Sequence, residues 1–420
     1  MEFVCVLFLI LCVALSRQYS LKLKSHGISL CVLYNVYWLA IVSFGLLHLY
    51  GLYEISTLVY ALVLIGSVGF TVGYLFSGNF FKFKKRAKIN KDNRTGDFNY
   101  FFYIILAFAV YVIIKQIILL LPVILVSGMG EARGEMQVDD TMTLGGGWDV
   151  LLAYFAKPFI KATIIVLLVK QFQNRIKLSH ICIVIVLLLM YFFSEGGRGI
   201  LLQIFFALIY LFIVNRHKLS SKNTQRIKIA IAVLALLPIL GTMDRGSRVM
   251  FSIYTYYTGG LQYLSQAIQL RADVFEDNLY GITCFQGVLK PIFGLLQLIG
   301  VEKPEALNMA NQFIYSSQDT VFNIAPNCPM NYFMTCFGYA YKDGGMIGCF
   351  FILLIFGVLC NIVDQKERIN SNNIRIISIK IMFFIAIMFT MTSFPFAAYL
   401  TVLPMFYAML ITSKLLEKKR

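Results

Sequence analysis

Long runs of apolar residues recur along almost the whole chain, and they constrain its fold more than any other feature. Several reach the roughly 17 to 25 residues that a helix needs to cross a bilayer. Of the 420 residues, 59% are hydrophobic, and the mean hydropathy is +0.75, well above a soluble domain. The pattern predicts an all-α polytopic integral membrane protein.

Reading the runs in order predicts about eleven transmembrane helices, within a range of about 10 to 13. The first run has no basic residues before it, so we interpret it as a span and not as a signal peptide. We expect a single membrane domain over 1–420. The predicted spans lie near 3–16, 28–50, 57–77, 100–126, 149–169, 180–194, 200–215, 229–243, 344–363, 376–394 and 396–413.

Positive charge is unevenly distributed among the segments that connect these spans. Of the 37 Lys and Arg residues, 26 fall in connections of one parity, at 17–27, 82–94, 170–177, 216–228, 364–380 and 414–420. The positive-inside rule makes that side cytoplasmic, with the amino terminus outside and the carboxyl terminus inside. Membrane topology thus accounts for the net charge of +16, and we predict no nucleic-acid partner.

Two segments on the predicted outer side are long enough to carry a function. Residues 127–148 are acidic and glycine-rich, and residues 244–343 form a connection far longer than usual. Within the second, 281–300 is apolar but contains Lys290, Pro291 and several glycines, which indicates a re-entrant or interfacial segment. Two further spans hidden in this connection would leave the topology unchanged.

Motifs of several large enzyme classes are missing from the sequence. It contains no P-loop, no His-Glu-x-x-His and no Cys-x-x-Cys, and its four histidines are scattered. We predict no metal site and no cofactor. Pairing of Cys328 with Cys336 remains open, because three cysteines fall in the predicted outer segments.

Charged groups inside or beside the apolar runs are the candidate functional residues, since charge is costly in a bilayer. Lys157 and Lys161 are four residues apart and share a helix face, while Lys115 lies in the preceding span. Lys157 and Lys161 are predicted to line a groove for a diphosphate headgroup. A structural ion pair or extension of the ammonium groups to the interface is the alternative.

Three arginines lie at the ends of apolar runs on the predicted outer side. Arg198 stands in Gly-Gly-Arg-Gly before a predicted helix, where backbone amides and a guanidinium together favour an anion. Arg245 and Arg248 follow the run at 229–243. All three are predicted to bind the diphosphate, and contact with phospholipid headgroups is the alternative. Tyr254 and Tyr257 follow them and are candidates for stacking on sugars or for an aromatic belt.

Together, these motifs resemble the oligosaccharide repeat unit polymerases, the O-antigen polymerase (Wzy-type) family. The resemblance covers about 190–365 and is carried by Gly-Gly-Arg-Gly, by Arg-Gly-Ser-Arg with Tyr-x-x-Tyr-Thr-Gly-Gly, and by the segment 331–348. Asp343-Gly344-Gly345 stands where family members often have Asp-Phe-Gly. The resemblance implies a membrane architecture like that of glycosyltransferase C enzymes.

The resemblance also implies an activity, a location and partners. Such enzymes transfer a glycan from undecaprenyl diphosphate to a new lipid-linked repeat unit at the outer face of the bacterial inner membrane. Donor and acceptor would be undecaprenyl-diphosphate-linked oligosaccharides held among membrane lipid, and a polysaccharide chain-length regulator is a possible further partner. An O-antigen ligase-type transferase and a flippase or transporter of lipid-linked oligosaccharide are the alternatives.

The resemblance suggests acidic and aromatic residues for the reaction itself. Asp343 is predicted to act as general base on the acceptor hydroxyl, with Tyr339 and Tyr341 orienting the sugar, and Glu195 is the rival base. The alternatives are a helix N-cap for Asp343 and an ion pair with Arg198 for Glu195.

Overall fold

The computed structural model describes residues 1–22, 27–80, 98–127, 144–173, 178–195, 199–215, 225, 227–229, 231–232, 249–297, 299–331, 333–413 and 415–416. Within these residues the chain is mostly helical, as the sequence predicts for a membrane protein. Among the residues that the structure describes, five helices are long and apolar enough to cross a bilayer: Glu2–Lys22, Thr57–Gly78, Tyr100–Val126, Gly147–Gln173 and Thr335–Ile369. The chain is therefore membrane-embedded, and the count of eleven spans stays a prediction.

The chain forms two compact units. The first comprises Met1–Lys85, Arg245–Ile369 and Ala386–Tyr399, and the second comprises Arg86–Asp244, Asn370–Ile385 and Leu400–Arg420. The prediction of a single domain over 1–420 did not anticipate this grouping. Each unit is formed by contacts between segments that are far apart in the chain.

The first unit is built on two long helices that pack closely together. Its helices are α1 (Glu2–Lys22), α2 (Leu30–Gly45), α3 (Thr57–Phe80), α9 (Val249–Leu270), α10 (Gln286–Gln297), α11 (Glu305–Asp319) and α12 (Thr335–Ile369). At Gly69 and Gly73 of α3 an added Cβ would meet the carbonyl oxygens of Phe350 and Leu354 in α12. Small residues thus let the two backbones approach, as is common between membrane helices.

A buried carboxylate ties three helices of this unit together. Asp364 of α12 accepts hydrogen bonds from the Tyr74 hydroxyl of α3, at 2.6 Å, and from the Leu30 amide at the start of α2, at 2.9 Å. The Leu30 amide is one of the donors that a helix start leaves without a helical partner. Asp364 therefore caps α2 from a neighbouring helix.

The long connection at 244–343 is folded, which the sequence did not show in detail. After α9 and a 3-10 turn, Ala272–Phe275, it contains α10, α11 and an antiparallel hairpin of β1 (Val321–Ala325) and β2 (Cys328–Asn331). Its last residues belong to α12, which begins at Thr335, nine residues before the predicted span. The predicted boundary is instead a kink, where Gly345 adopts φ +61°, a value suited to glycine.

The second unit is also helical and apolar. These are α4 (Tyr100–Ser127), α5 (Gly147–Leu151), α6 (Lys157–Gln173), α7 (Leu178–Glu195), α8 (Gly199–Asn215), α13 (Ile374–Met388, of which Ile374–Ile385 belongs here) and α14 (Tyr399–Ile411). A π-helical turn, Leu152–Ala156, joins α5 to α6. The predicted span at 229–243 and the outer segment at 127–148 lie mostly outside the described residues.

Candidate functional site

The start of α6, in the second unit, brings together three of the predicted site residues. Lys157 is the first residue of α6 and Lys161 lies one turn later on the same face, as the spacing predicts. Glu195, the last residue of α7, is near enough to stabilise both ammonium groups electrostatically. The site is therefore a cation pair with one carboxylate at the end of an apolar helix bundle.

Lys161 has a defined structural partner. Its side chain is buried, and its Nζ donates a hydrogen bond to the carbonyl oxygen of Leu400 in α14 at 2.8 Å. Four residues after Leu400 stands Pro404, which has no N–H and cannot make the usual helical bond to that carbonyl. Lys161 thus satisfies an acceptor that a proline has freed, which is important where no water is at hand.

A second hydrogen bond to a carbonyl freed by a proline has its donor in α14 and its acceptor just before α6. Pro158 cannot donate to the carbonyl of Tyr154, and the π-helical turn lies directly before it. The hydroxyl of Tyr407, in α14, donates to that Tyr154 carbonyl at 2.9 Å. Two prolines, one in each helix, therefore create the acceptors that join α6 to α14.

Lys157 differs from the other two lysines that the sequence marks in apolar helices. Lys115 lies over the indole ring of Trp148, with its Nζ 3.6 Å from the ring centroid, a cation–π contact. Lys157 is half-buried, and in the part of the chain that the structure describes no hydrogen bond or ion pair holds its ammonium group. It is the cation of this cluster that remains open to a ligand.

The three predicted arginines, Arg198, Arg245 and Arg248, lie outside the described residues. Their assignment to the diphosphate remains a prediction. Glu195 precedes Arg198 by three residues and α8 begins at Gly199, immediately after it.

Asp343, in the first unit, has a structural environment that the sequence did not reveal. Its carboxylate is buried, with Oδ1 accepting the Thr283 amide at 2.9 Å and Oδ2 accepting the Cys284 amide at 2.7 Å. The amide of Tyr280 also donates to the Asp343 carbonyl at 2.8 Å. Asp343 therefore anchors the turn before α10 to the kink in α12, which argues against a role as general base.

Cys284 lies in the same anchor. Burial, and after it the negative charge of Asp343, raises the pKa of the Cys284 thiol well above its ordinary value. The thiol consequently stays protonated at neutral pH and is not a nucleophile. Cys328 and Cys336, whose pairing the sequence left open, are both free thiols.

The predicted sugar-binding tyrosines have different surroundings. Tyr339 is only 1% exposed, and its ring packs edge-on against Phe313, so the structure corrects its assignment to sugar stacking. The Tyr254 hydroxyl donates to the Phe44 carbonyl at 2.8 Å, which gives this residue a structural role. Tyr257 and Tyr341 are half-buried, beside Tyr256 and Phe275 respectively, and their assignment remains a prediction.

We expect Asp343→Asn to destabilise the protein. An amide has one oxygen, so it can accept only one of the two backbone amides that Asp343 accepts, and the other would be buried without a partner. Such a loss costs about 1–3 kcal/mol. Thermal unfolding of the detergent-solubilised protein measures it, with Asp319→Asn as the control, because the Asp319 side chain is exposed and its neutralisation should leave stability unchanged. A fully stable Asp343→Asn protein that forms no polymer would instead favour the general-base role.

Metal-ligating side chains do not cluster within the residues that the structure describes. Comparison of the chain with protein-family models, with curated proteins and with solved structures found no match.

Proposed function

We propose that this chain is a membrane glycosyltransferase that polymerises undecaprenyl-diphosphate-linked oligosaccharide repeat units into O-antigen or capsule-type polysaccharide. The order of the Gly-Gly-Arg-Gly, Arg-Gly-Ser-Arg and late tyrosine motifs supports the reaction class. The structural observation that carries the proposal is the Lys157 ammonium, which is half-buried, makes no hydrogen bond or ion pair among the described residues, and lies one turn from a second lysine.

In the proposed reaction the acceptor sugar supplies the nucleophile, and the protein supplies cations. An acceptor sugar hydroxyl attacks the anomeric carbon of the donor glycan, and the bond from that carbon to the diphosphate oxygen breaks. The electron pair leaves with the diphosphate, and the hydroxyl proton passes to a carboxylate or to the departing diphosphate. Fixed cations stabilise the charge that develops on the leaving group.

Within this proposal each residue of the cluster has a role. Lys157 contacts the diphosphate. The sequence alone assigns Arg198, Arg245 and Arg248 to a diphosphate, because a guanidinium makes bidentate contacts that a lysine cannot make. Lys161 positions α6 through its bond to Leu400 and adds positive potential. Glu195, which acts electrostatically on both lysines, takes the place of Asp343 as the candidate base.

The proposed location is the outer face of the bacterial inner membrane. The distribution of basic residues supports an external amino terminus, a cytoplasmic carboxyl terminus and an external start for α6. The diphosphate headgroup of a translocated lipid-linked glycan would lie at that level. A polysaccharide chain-length regulator would be a further partner of this protein at the same membrane face.

Loss of the gene tests the proposal against its alternatives. We expect a deletion strain to carry a single repeat unit on each surface acceptor, because transfer to the acceptor continues without polymerisation. Electrophoresis of the surface polysaccharide measures the ladder, and a plasmid copy of the gene should restore it. Bare acceptor with polymer retained on the carrier lipid would identify a ligase, and absence of both products would identify a flippase.

A further inference from the structure

The short helix α10 carries its polar and apolar residues in an arrangement opposite to that of a helix on a water-exposed surface. Val288, Ile292 and Leu295 follow one another at intervals of four and three residues, which aligns them in one stripe, and Ile299 continues this spacing in the turn just after the helix. They are 37%, 48%, 68% and 76% exposed. The apolar face of this helix therefore points away from the protein.

Gln286, Lys290 and Gln297 lie on the opposite face of α10; the first two contact the rest of the protein, and Gln297 is exposed. Gln286 is buried, and the Lys290 ammonium lies 5.5 Å from the ring centroid of Tyr315 in α11. The start of the helix packs on the segment 396–398, since a Cβ added at Gly287 would meet the carbonyl oxygens of Phe396 and Ala398. The fold thus fixes which face of α10 is turned outward.

The next helix, α11, shows the ordinary pattern. Its apolar residues Leu307, Ala310 and Phe313 are buried, while Gln312 lies on its exposed face. Both helices belong to the same unit and follow each other in the chain. Of these two neighbouring helices only α10 turns its apolar face outward, which indicates apolar surroundings for that face.

The dimensions and charge of α10 exclude a bilayer crossing. Twelve residues at about 1.5 Å each give a length of about 18 Å, short of the ~30 Å hydrocarbon core. The helix ends in a Schellman motif, with Gly300 at φ +86° and bonds from Gly300 to Gln297 and from Val301 to Leu296. Between 278 and 301 the only charged residue is Lys290.

From this geometry we propose that α10 lies in the interface of the lipid bilayer, with Val288, Ile292, Leu295 and Ile299 inserted among the acyl chains. The unit that holds α10 also contains apolar helices long enough to cross a bilayer, so a membrane surface adjoins this unit. An interfacial helix of this kind binds lipid through a wide apolar stripe. The sequence predicts either a re-entrant or an interfacial segment here. The contacts of Gln286 and Lys290 with the protein favour the interfacial one.

Spin labels in lipid nanodiscs test this proposal. Ile292→Cys and Leu295→Cys are labelled in a background of Cys182→Ser and Cys328→Ser, which removes the more accessible natural thiols. The nanodiscs contain phosphatidylethanolamine and phosphatidylglycerol. We expect both labels to relax more with dissolved oxygen than with a water-soluble nickel chelate, because oxygen concentrates in lipid. A label at Gln312→Cys should show the reverse.

Each alternative has its own outcome in this experiment. Strong relaxation by the nickel chelate at Leu295→Cys would mean that α10 faces water and would overturn the proposal. Weak relaxation by both reagents would mean that protein, such as a second copy of the chain, covers the stripe, and would also overturn it. Both positions are substantially exposed in the fold, and an unchanged gel-filtration profile verifies that the labelled proteins are intact.

Discussion

Gly73→Val is expected to abolish the accumulation of folded protein. A Cβ at this position would lie inside van der Waals contact with the Leu354 carbonyl oxygen, which is backbone and cannot rotate away. The same close approach recurs at Gly69 against Phe350 and, from the other helix, at Gly357 against Phe70. Relief requires α3 and α12 to separate, so the cost should reach or exceed the ~1–3 kcal/mol of ordinary overpacking.

Size-exclusion chromatography of the detergent-solubilised protein measures this effect. Gly147→Val is the matched control, because Gly147 begins α5 and a Cβ there would meet no atom within 4 Å. We expect the control to elute as the wild type does and Gly73→Val to aggregate or disappear. A monodisperse Gly73→Val protein with wild-type thermal stability would show that α3 and α12 do not pack as described.

Lys161→Met is expected to destabilise the protein, and Pro404→Ala is expected to restore its stability. Methionine leaves the Leu400 carbonyl without a donor in a buried, apolar position, at a cost of about 1–3 kcal/mol. Alanine at position 404 supplies the backbone N–H that Pro404 lacks, so the helix itself can satisfy that carbonyl. The two substitutions should therefore be strongly non-additive.

A double-mutant cycle of thermal unfolding measures the coupling between these positions. Tyr407→Phe serves as the control: it removes the donor to Tyr154, and Pro404→Ala should not rescue it. A double variant no more stable than Lys161→Met alone would contradict the structural role of Lys161. Polymer formation by a stable Lys161→Met, Pro404→Ala protein would assign diphosphate contact to Lys157 and not to Lys161.

The apolar runs predicted several helices closely, because membrane insertion depends on local composition. The predicted spans at 57–77, 180–194 and 200–215 correspond to Thr57–Phe80, Leu178–Glu195 and Gly199–Asn215. The run at 28–50 was less well predicted, since α2 ends at Gly45 and a 3-10 turn follows. Hydropathy does not detect such a break, because the residues on both sides remain apolar.

The candidate site was predictable only where a single helix determines it. The spacing of Lys157 and Lys161 places them on one face, but their proximity to Glu195 depends on the packing of α6 against α7. The backbone partners of Asp343 were not predictable for a similar reason, since Thr283 and Cys284 lie about 60 residues earlier in the chain. Pro404 was a visible signal, because a proline within an apolar helix frees a carbonyl that needs a donor.

The most direct test of the proposed activity is polymer synthesis by the purified protein in nanodiscs supplied only with lipid-linked repeat units. We expect a ladder of products from the wild type. The Lys157→Met protein should be slower by at least about a hundredfold, as for the loss of one group that stabilises developing negative charge. Lys115→Met, which removes a lysine held by Trp148, should retain the wild-type rate per folded molecule. A folded wild type that leaves the repeat units unchanged, or an unimpaired Lys157→Met protein, would contradict the proposed role of this site.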